Sequence, residues 1–281
     1  MGKATRGTLV AVGGAEDKRD SMTVLRRALE LVPGTARRVE IIPTASGDPR
    51  EAARPYFSAF RDLGAEEVGV LDIRTREEAA DAAYVERIRS ADLVYMTGGD
   101  QARLSEILVS TPVHAAMREK LAAGGVVAGT SAGAAAMSST MIAQGIATLR
   151  KGNVDLSHGL GLMPGAIIDT HFTERGRFGR LLEAIATHPE LLGIGIGENT
   201  AVVMRGSSLE VVGAGSVVIF DGQEIRYSNA PAAAHDEPLA VDRLILHTLP
   251  SGHHYDLARH RAYAPVAPTR ARRSAGAASP A

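Results

Sequence analysis

The chain has 281 residues, a formal net charge of −1 and 45% hydrophobic residues, with 30 glycines and only 4% aromatics. This balance supplies no bulk attraction for nucleic acid or an anionic membrane, and the absence of cysteine excludes disulfides, thiolate metal sites and a cysteine nucleophile. The N-terminal residues run straight into a strand-like segment without an apolar leader, and no apolar stretch reaches the ~18 residues of a membrane span, so a soluble cytoplasmic protein is expected.

Short apolar, β-branched runs at 9–12, 39–42, 68–71, 93–96 and 126–128 read as strands. Amphipathic segments at 22–31, 50–63, 77–90 and 113–123 read as the helices between them. The alternation predicts an α/β fold with a mostly parallel central sheet and helices on both faces. Four predicted strands end in glycine or polar clusters, Gly13–Asp17, Pro43–Ser46, Thr97–Gln101 and Gly129–Ser131. Sites form at the carboxyl ends of parallel strands, so these loops are expected to converge. From about residue 195 the pattern changes: 201–205, 208–212 and 216–220 are short runs separated by glycine turns. They predict antiparallel strands added to the sheet edge. Residues 1–264 read as a single domain and 265–281, rich in Ala, Arg, Pro and Ser, as a disordered tail.

The segment Gly129-Thr130-Ser131-Ala132-Gly133 follows a predicted strand and precedes the small-residue run 134–139. This is the layout of a nucleophile elbow, in which a serine sits in a strained turn with its hydroxyl exposed. The helix start behind it favours developing negative charge, and the N–H of Ala132 points to the same place. A bland alternative is a tight turn with Ser131 as helix cap.

Nine histidines compete to be its general base. His114 and His188 fall in or beside helices and read as surface residues. The adjacent pair His253-His254 points to opposite strand faces without a third ligand, so no metal site is expected there. His171 closes the apolar run Ala166-Ile167-Ile168 in Asp169-Thr170-His171-Phe172 and therefore falls at a strand end. Either Asp169 or Glu198 has the chemistry to fix its tautomer, and the spacing leaves both open. Three arginines follow, Arg175, Arg177 and Arg180, too crowded for a comfortable core. Cations near a helix start need a reason, and the planar guanidinium fork suggests a small substrate rich in carboxylates.

Taken in order, the matching pieces are Gly13-Gly14-Ala15-Glu16-Asp17, Thr97-Gly98-Gly99-Asp100-Gln101, Gly129 to Ala134 and Pro164-Gly165. They continue with Asp169-x-His171-Phe172, the Arg175-Gly176-Arg177-x-Gly179-Arg180-Leu181 stretch and Gly197-Glu198-Asn199-Thr200-Ala201. Across about residues 8–220 this ordered set resembles the cyanophycinase family of serine peptidases. The resemblance implies a flavodoxin-like fold similar to class I glutamine amidotransferases and dipeptidase E, and cleavage of cyanophycin to β-Asp-Arg dipeptides. It implies Ser131 as nucleophile, His171 as base and Glu198 as its orienter, with Gly99 and Ala132 supplying oxyanion N–H groups. Gln101, Asp169, Thr170, Arg175, Arg177 and Arg180 would line the substrate pocket. No cofactor or metal is implied, and a homodimer is. One position departs from the family pattern: Thr170 stands where cyanophycinases typically carry glutamine, a longer arm with both donor and acceptor. That leaves an isoaspartyl or aspartyl dipeptidase, or a non-catalytic binding protein on the same fold, as alternatives.

Overall fold

The computed structural model describes residues 6–34 and 37–265. The tail expected over 265–281 lies, Pro265 apart, outside the described residues. In chain order the elements are β1 (Thr8–Val12), α1 (Thr23–Glu30), β2 (Arg38–Ile42), α2 (Pro49–Asp62), β3 (Glu67–Val70), α3 (Ala82–Ser90) and β4 (Leu93–Met96). Then come α4 (Gln101–Leu108), α5 (Pro112–Ala122), β5 (Val126–Thr130), α6 (Ala132–Ala135), β6 (Thr140–Gly145), β7 (Val154–His158), β8 (Ala166–Asp169) and α7 (Phe178–Thr187). The remainder is β9 (Leu192–Ile196), β10 (Thr200–Arg205), β11 (Ser208–Gly213), β12 (Ser216–Asp221), β13 (Tyr227–Ser228), β14 (Val241–Asp242), β15 (Ile245–Pro250), β16 (His254–Asp256) and β17 (Arg261–Tyr263).

The main sheet has nine strands in the order β17-β16-β11-β10-β1-β5-β4-β2-β3. Strands β1 to β5 run parallel within it, and β10, β11, β16 and β17 add antiparallel pairs beyond β1. Side-chain alternation along β1 explains why both faces are covered. Val10 and Val12 point into a core shared with Leu25, Leu29, Tyr56 and Phe60 of α1 and α2. Leu9 and Ala11 point to the opposite core, which holds Leu104 and Leu108 of α4 and Met117 of α5. The helices start where the sequence offers caps: Asp48, Asp81, Asp100 and Thr111 each accept a backbone N–H of the first turn.

Two differences from the sequence reading have physical causes. The segment 216–220 does not extend the main sheet; β12 joins a second sheet, β15-β12-β9-β8, packed over the first. Its inner face (Ile168, Ile194, Val217, Ile219) completes one core, and its outer face (Ile167, Val218, Phe220) packs on Leu181 and Ile185 of α7. Strand β12 is apolar on both faces because it is covered on both sides. The helix expected over 77–90 is divided: Asp81 ends a short 3-10 turn at Glu78–Ala80 and caps α3.

Candidate active site

Ser131 follows directly on β5, at φ 51° and ψ −112°, a backbone conformation that a non-glycine residue holds at a cost of about 1–3 kcal/mol. Its N–H donates to the carbonyl of Val12 at 2.9 Å, which ties the turn to the end of β1. The flanking glycines permit the sharp reversal. A Cβ on Gly129 would stand 2.6 Å from the Gly133 carbonyl group, and one on Gly133 would stand 2.6 Å from Met96 O. The loops after β1, β2, β4 and β5 meet here: Thr97 N–H reaches Ile42 O at 3.0 Å and Asp100 N–H reaches Ala45 O at 2.8 Å.

Ser131 Oγ lies 2.9 Å from His171 Nε2, and His171 Nδ1 lies 2.6 Å from Glu198 Oε1. His171 follows two residues after β8, also in the left-handed region at φ 47°, and its N–H donates to Gly13 O at 2.7 Å. Gly14 forms the floor under the ring: a Cβ there would stand 2.3 Å from Cε1 of the imidazole. Glu198 sits in the turn between β9 and β10, where the chain passes from the second sheet to the first. Asn199, again at φ 47°, fixes that turn by donating its N–H to Gly14 O and accepting Asp17 N–H on Oδ1. Asp17 accepts further N–H groups from Arg19, Asp20 and Met22, which hold its carboxyl far below the usual carboxylate range.

Neither the Gly99 nor the Ala132 N–H has a partner among the described residues, and Gly98 packs against Ser131, a Cβ there meeting Ser131 Cβ at 3.3 Å. Free donors beside a nucleophile are what a tetrahedral oxyanion requires. The Ser–His–Glu chain can take the hydroxyl proton onto Nε2 while Glu198 stabilises the imidazolium through Nδ1–H.

Asp169, the other carboxylate left open by the spacing, forms no hydrogen bond to His171. Its two oxygens accept the Arg180 guanidinium at Nε (2.7 Å) and Nη2, and Arg177 Nη1 approaches at 3.4 Å. The expectation that the arginines avoid the interior is therefore corrected for Arg180, which is 6% exposed: the buried Asp169 compensates its charge. Arg177 is half-buried and also donates to the Thr170 carbonyl at 2.7 Å; burial pulls its guanidinium below its ordinary value, against the pull of Asp169. Arg175 is exposed and forms no ion pair among the described residues. Thr170 is buried next to His171, and Gln101 opens α4 with its amide donating to the Ile142 and Ala143 carbonyls of β6 at 2.9 and 2.8 Å. His114, read as a surface residue, is instead buried, its Nε2 on Leu160 O at 2.7 Å and its Nδ1 accepting Ser110 N–H.

Sequence reasoning gave no role to Glu174. Its Oε2 accepts the Glu198 N–H at 3.1 Å and its Oε1 accepts the Thr173 hydroxyl at 2.8 Å, stapling the turn after His171 to the turn carrying Glu198. Burial raises its carboxyl, but these hydrogen bonds and the nearby His171 bring it below the usual range. Its position three residues after the histidine, as acid beside an arginine run, was the available signal. Among the described residues no group of three or more metal-ligating side chains is placed to hold an ion, and no helix is long and apolar enough to cross a membrane.

Comparison with known proteins fits this geometry. The profile of peptidase family S51 matches residues 9–212. A cyanophycinase of Geminocystis herdmanii is 40% identical over 270 residues, covering 95% of this chain and 99% of its own. A cyanophycinase of a Nostoc species is 41% identical over 259 residues, covering 91% of this chain and 87% of its own. The crystal structure of a peptidase from an acI-B1 actinobacterium superposes with a TM-score of 0.70 at 23% identity, covering 91% of this chain and 98% of that one. This last likeness establishes the fold.

Proposed function

The chain belongs to the cyanophycinase family of serine-type peptidases, peptidase family S51, and from that premise we propose that it hydrolyses cyanophycin to β-Asp-Arg dipeptides with Ser131 as nucleophile. The observation that carries the catalytic part is the continuous Ser131–His171–Glu198 hydrogen-bond chain at a strained elbow. The substrate part rests on the relatives' activity over nearly their whole length and on the positive character of the turn after His171. Three guanidinium groups stand there; among the described residues Asp169 pairs with two of them, Arg177 and Arg180, and Glu174 of the same turn is bonded to Thr173 and Glu198.

In this reading Ser131 Oγ attacks the carbonyl carbon of the aspartyl backbone while its proton passes to His171 Nε2. The oxyanion rests on the Gly99 and Ala132 N–H groups. Collapse breaks the C–N bond, and the proton on Nε2 leaves with the amine. A water then loses its proton to Nε2, attacks the acyl carbon and returns Ser131 as leaving group. Arg175 and Arg177 receive the substrate's carboxylates. Arg180 is committed to Asp169 and acts by holding the pocket wall. Gln101 and Thr170 shape the same wall, the shorter Thr170 leaving more room than glutamine.

Purified protein incubated with insoluble cyanophycin should release β-Asp-Arg identified by mass. Ser131→Ala should lose at least about 10³-fold in kcat with an unchanged fold. Near-normal turnover in Ser131→Ala removes the nucleophile assignment. Intact polymer with cleavage of short β-aspartyl dipeptides moves the substrate to the dipeptidase class, an outcome the shorter Thr170 makes worth measuring. The same proposal takes residues 1–264 as one domain, because strands from both ends of the described chain share the main sheet. It also carries a cytoplasmic homodimer, tested by light scattering.

A further inference from the structure

Beneath the elbow lies a carboxylate that the reaction scheme does not use. Glu16 is 2% exposed, and its side chain is fully enclosed. Its Oε1 accepts the Tyr95 phenol at 2.7 Å and its Oε2 accepts the Thr130 hydroxyl at 2.8 Å. The nearest cation, Lys18 Nζ, stands 3.9 Å from Oε1, and donates to the Glu16 carbonyl at 2.8 Å. Enclosing a carboxylate with so little compensation costs several kcal/mol, which an apolar side chain of similar size would avoid. Something other than packing has to account for it.

Its position supplies the account. Thr130 is the residue before Ser131, so Oε2 of Glu16 grips the nucleophile's turn from below. The loop that carries Glu16 grips the base from the other side. Gly13 O accepts His171 N–H, Gly14 underlies the imidazole, Gly14 O accepts Asn199 N–H, and Asp17 N–H donates to Asn199 Oδ1. Four of the five residues Gly13–Asp17 thus touch one half of the site or the other. Burial, then the neighbouring Glu16 charge, raises the Tyr95 phenol well above its ordinary range, so it stays a donor on the opposite oxygen.

We propose that Glu16 is a positioning residue that fixes the separation of Ser131 and His171 by holding Thr130 from the same loop that holds the base. The inference rests on the triad reading above and concerns the alignment of those atoms. A misplacement of about 1 Å costs on the order of 10²-fold in rate.

The test uses the rate of Ser131 phosphorylation by diisopropyl fluorophosphate, which needs no peptide substrate, alongside cyanophycin hydrolysis. Glu16→Leu, which has no acceptor for the Thr130 hydroxyl, and Thr130→Val should each label on the order of 10²-fold more slowly than wild type. On cyanophycin, kcat should fall in parallel with KM within about twofold. The double variant should lose no more than the worse single variant, because both remove one contact. Tyr95→Phe, which releases only the far oxygen, should lower Tm while labelling within about twofold of wild type. Labelling of Glu16→Leu and Thr130→Val within about threefold of wild type overturns the inference, as does an equal loss in Tyr95→Phe. If wild type is not labelled, the triad reading falls and this inference with it. Labelling without cyanophycin hydrolysis removes the substrate assignment alone, and the labelling rates still decide for or against Glu16.

Discussion

A methyl group at Gly14 would stand 2.3 Å from Cε1 and 2.4 Å from Nε2 of His171, and the residue's φ of 97° disfavours any side chain. The imidazole has little freedom to retreat, since Nδ1 is anchored on Glu198 and its backbone N–H on Gly13. Gly14→Ala should therefore push Nε2 off Ser131 Oγ and lower kcat on the order of 10²-fold. Chemical denaturation should show a loss of about 1–3 kcal/mol as well, because the buried Gly14 holds a left-handed backbone that alanine adopts at a cost. Single-turnover kinetics beside an unfolding curve separates the two effects. His114 makes a different kind of residue-scale prediction. Burial pulls its imidazole below the ordinary histidine value of 6.5. Its neutral form is satisfied on both nitrogens, with Ser110 N–H donating to Nδ1 and Leu160 O facing Nε2. Below about pH 6.5 the unfolded chain binds a proton that the folded chain resists, so stability is full above that pH and declines as pH falls. Midpoints of urea unfolding measured from pH 8 to pH 5 should fall, and the slope should flatten in His114→Gln.

At the scale of elements, β8 and α7 are joined less by their connection than by Asp169, Arg177 and Arg180. Removing the carboxylate leaves two poorly solvated guanidinium groups facing each other. Asp169→Asn should destabilise the fold by about 3–5 kcal/mol, and a double Asp169→Leu, Arg180→Met substitution should cost clearly less. Guanidinium chloride titration of the three proteins checks the order. This pairing was not legible in the sequence, where a strand-end aspartate and a helix-start arginine are separated by a turn whose path no periodicity encodes. The same limit applies to the choice between Asp169 and Glu198, which only the crossing of two sheets decides. By contrast, the five parallel strands were legible as short apolar runs; β1, β4 and β5 are buried on both faces, while β2 and the edge strand β3 are partly exposed. The elbow was legible because only small residues at 129 and 133 fit its sharp reversal. Helix α4 escaped notice since Gln101, its first residue, ends a polar loop motif, and its cap Asp100 reads equally as loop. β8 was legible as the apolar run Ala166-Ile167-Ile168, whereas β9 was obscured by the glycines of Leu192–Ile196, which leave room for Phe172 and Leu181.

For the whole molecule, the distances along the chain between contacting groups matter more than their number. Ser131 and His171 are 40 residues apart and His171 and Glu198 are 27 apart. The contacts that align them reach further: Thr130 to Glu16 spans 114 residues and Asp17 to Asn199 spans 182. Contacts of such separation form late, because loop closure has to precede any gain from them. The turn of Glu198, where the chain leaves one sheet for the other, imposes an order of events in time. Helices and the parallel strands can consolidate before the carboxylate arrives, and until it does the proposed Ser131–His171–Glu198 chain is incomplete. In a stopped-flow refolding experiment the far-ultraviolet signal should therefore recover ahead of peptidase activity, with activity appearing in the slowest phase. Nascent chains emerging from the ribosome would in the same way stay hydrolytically silent until about 200 residues, through the turn of Glu198, are available.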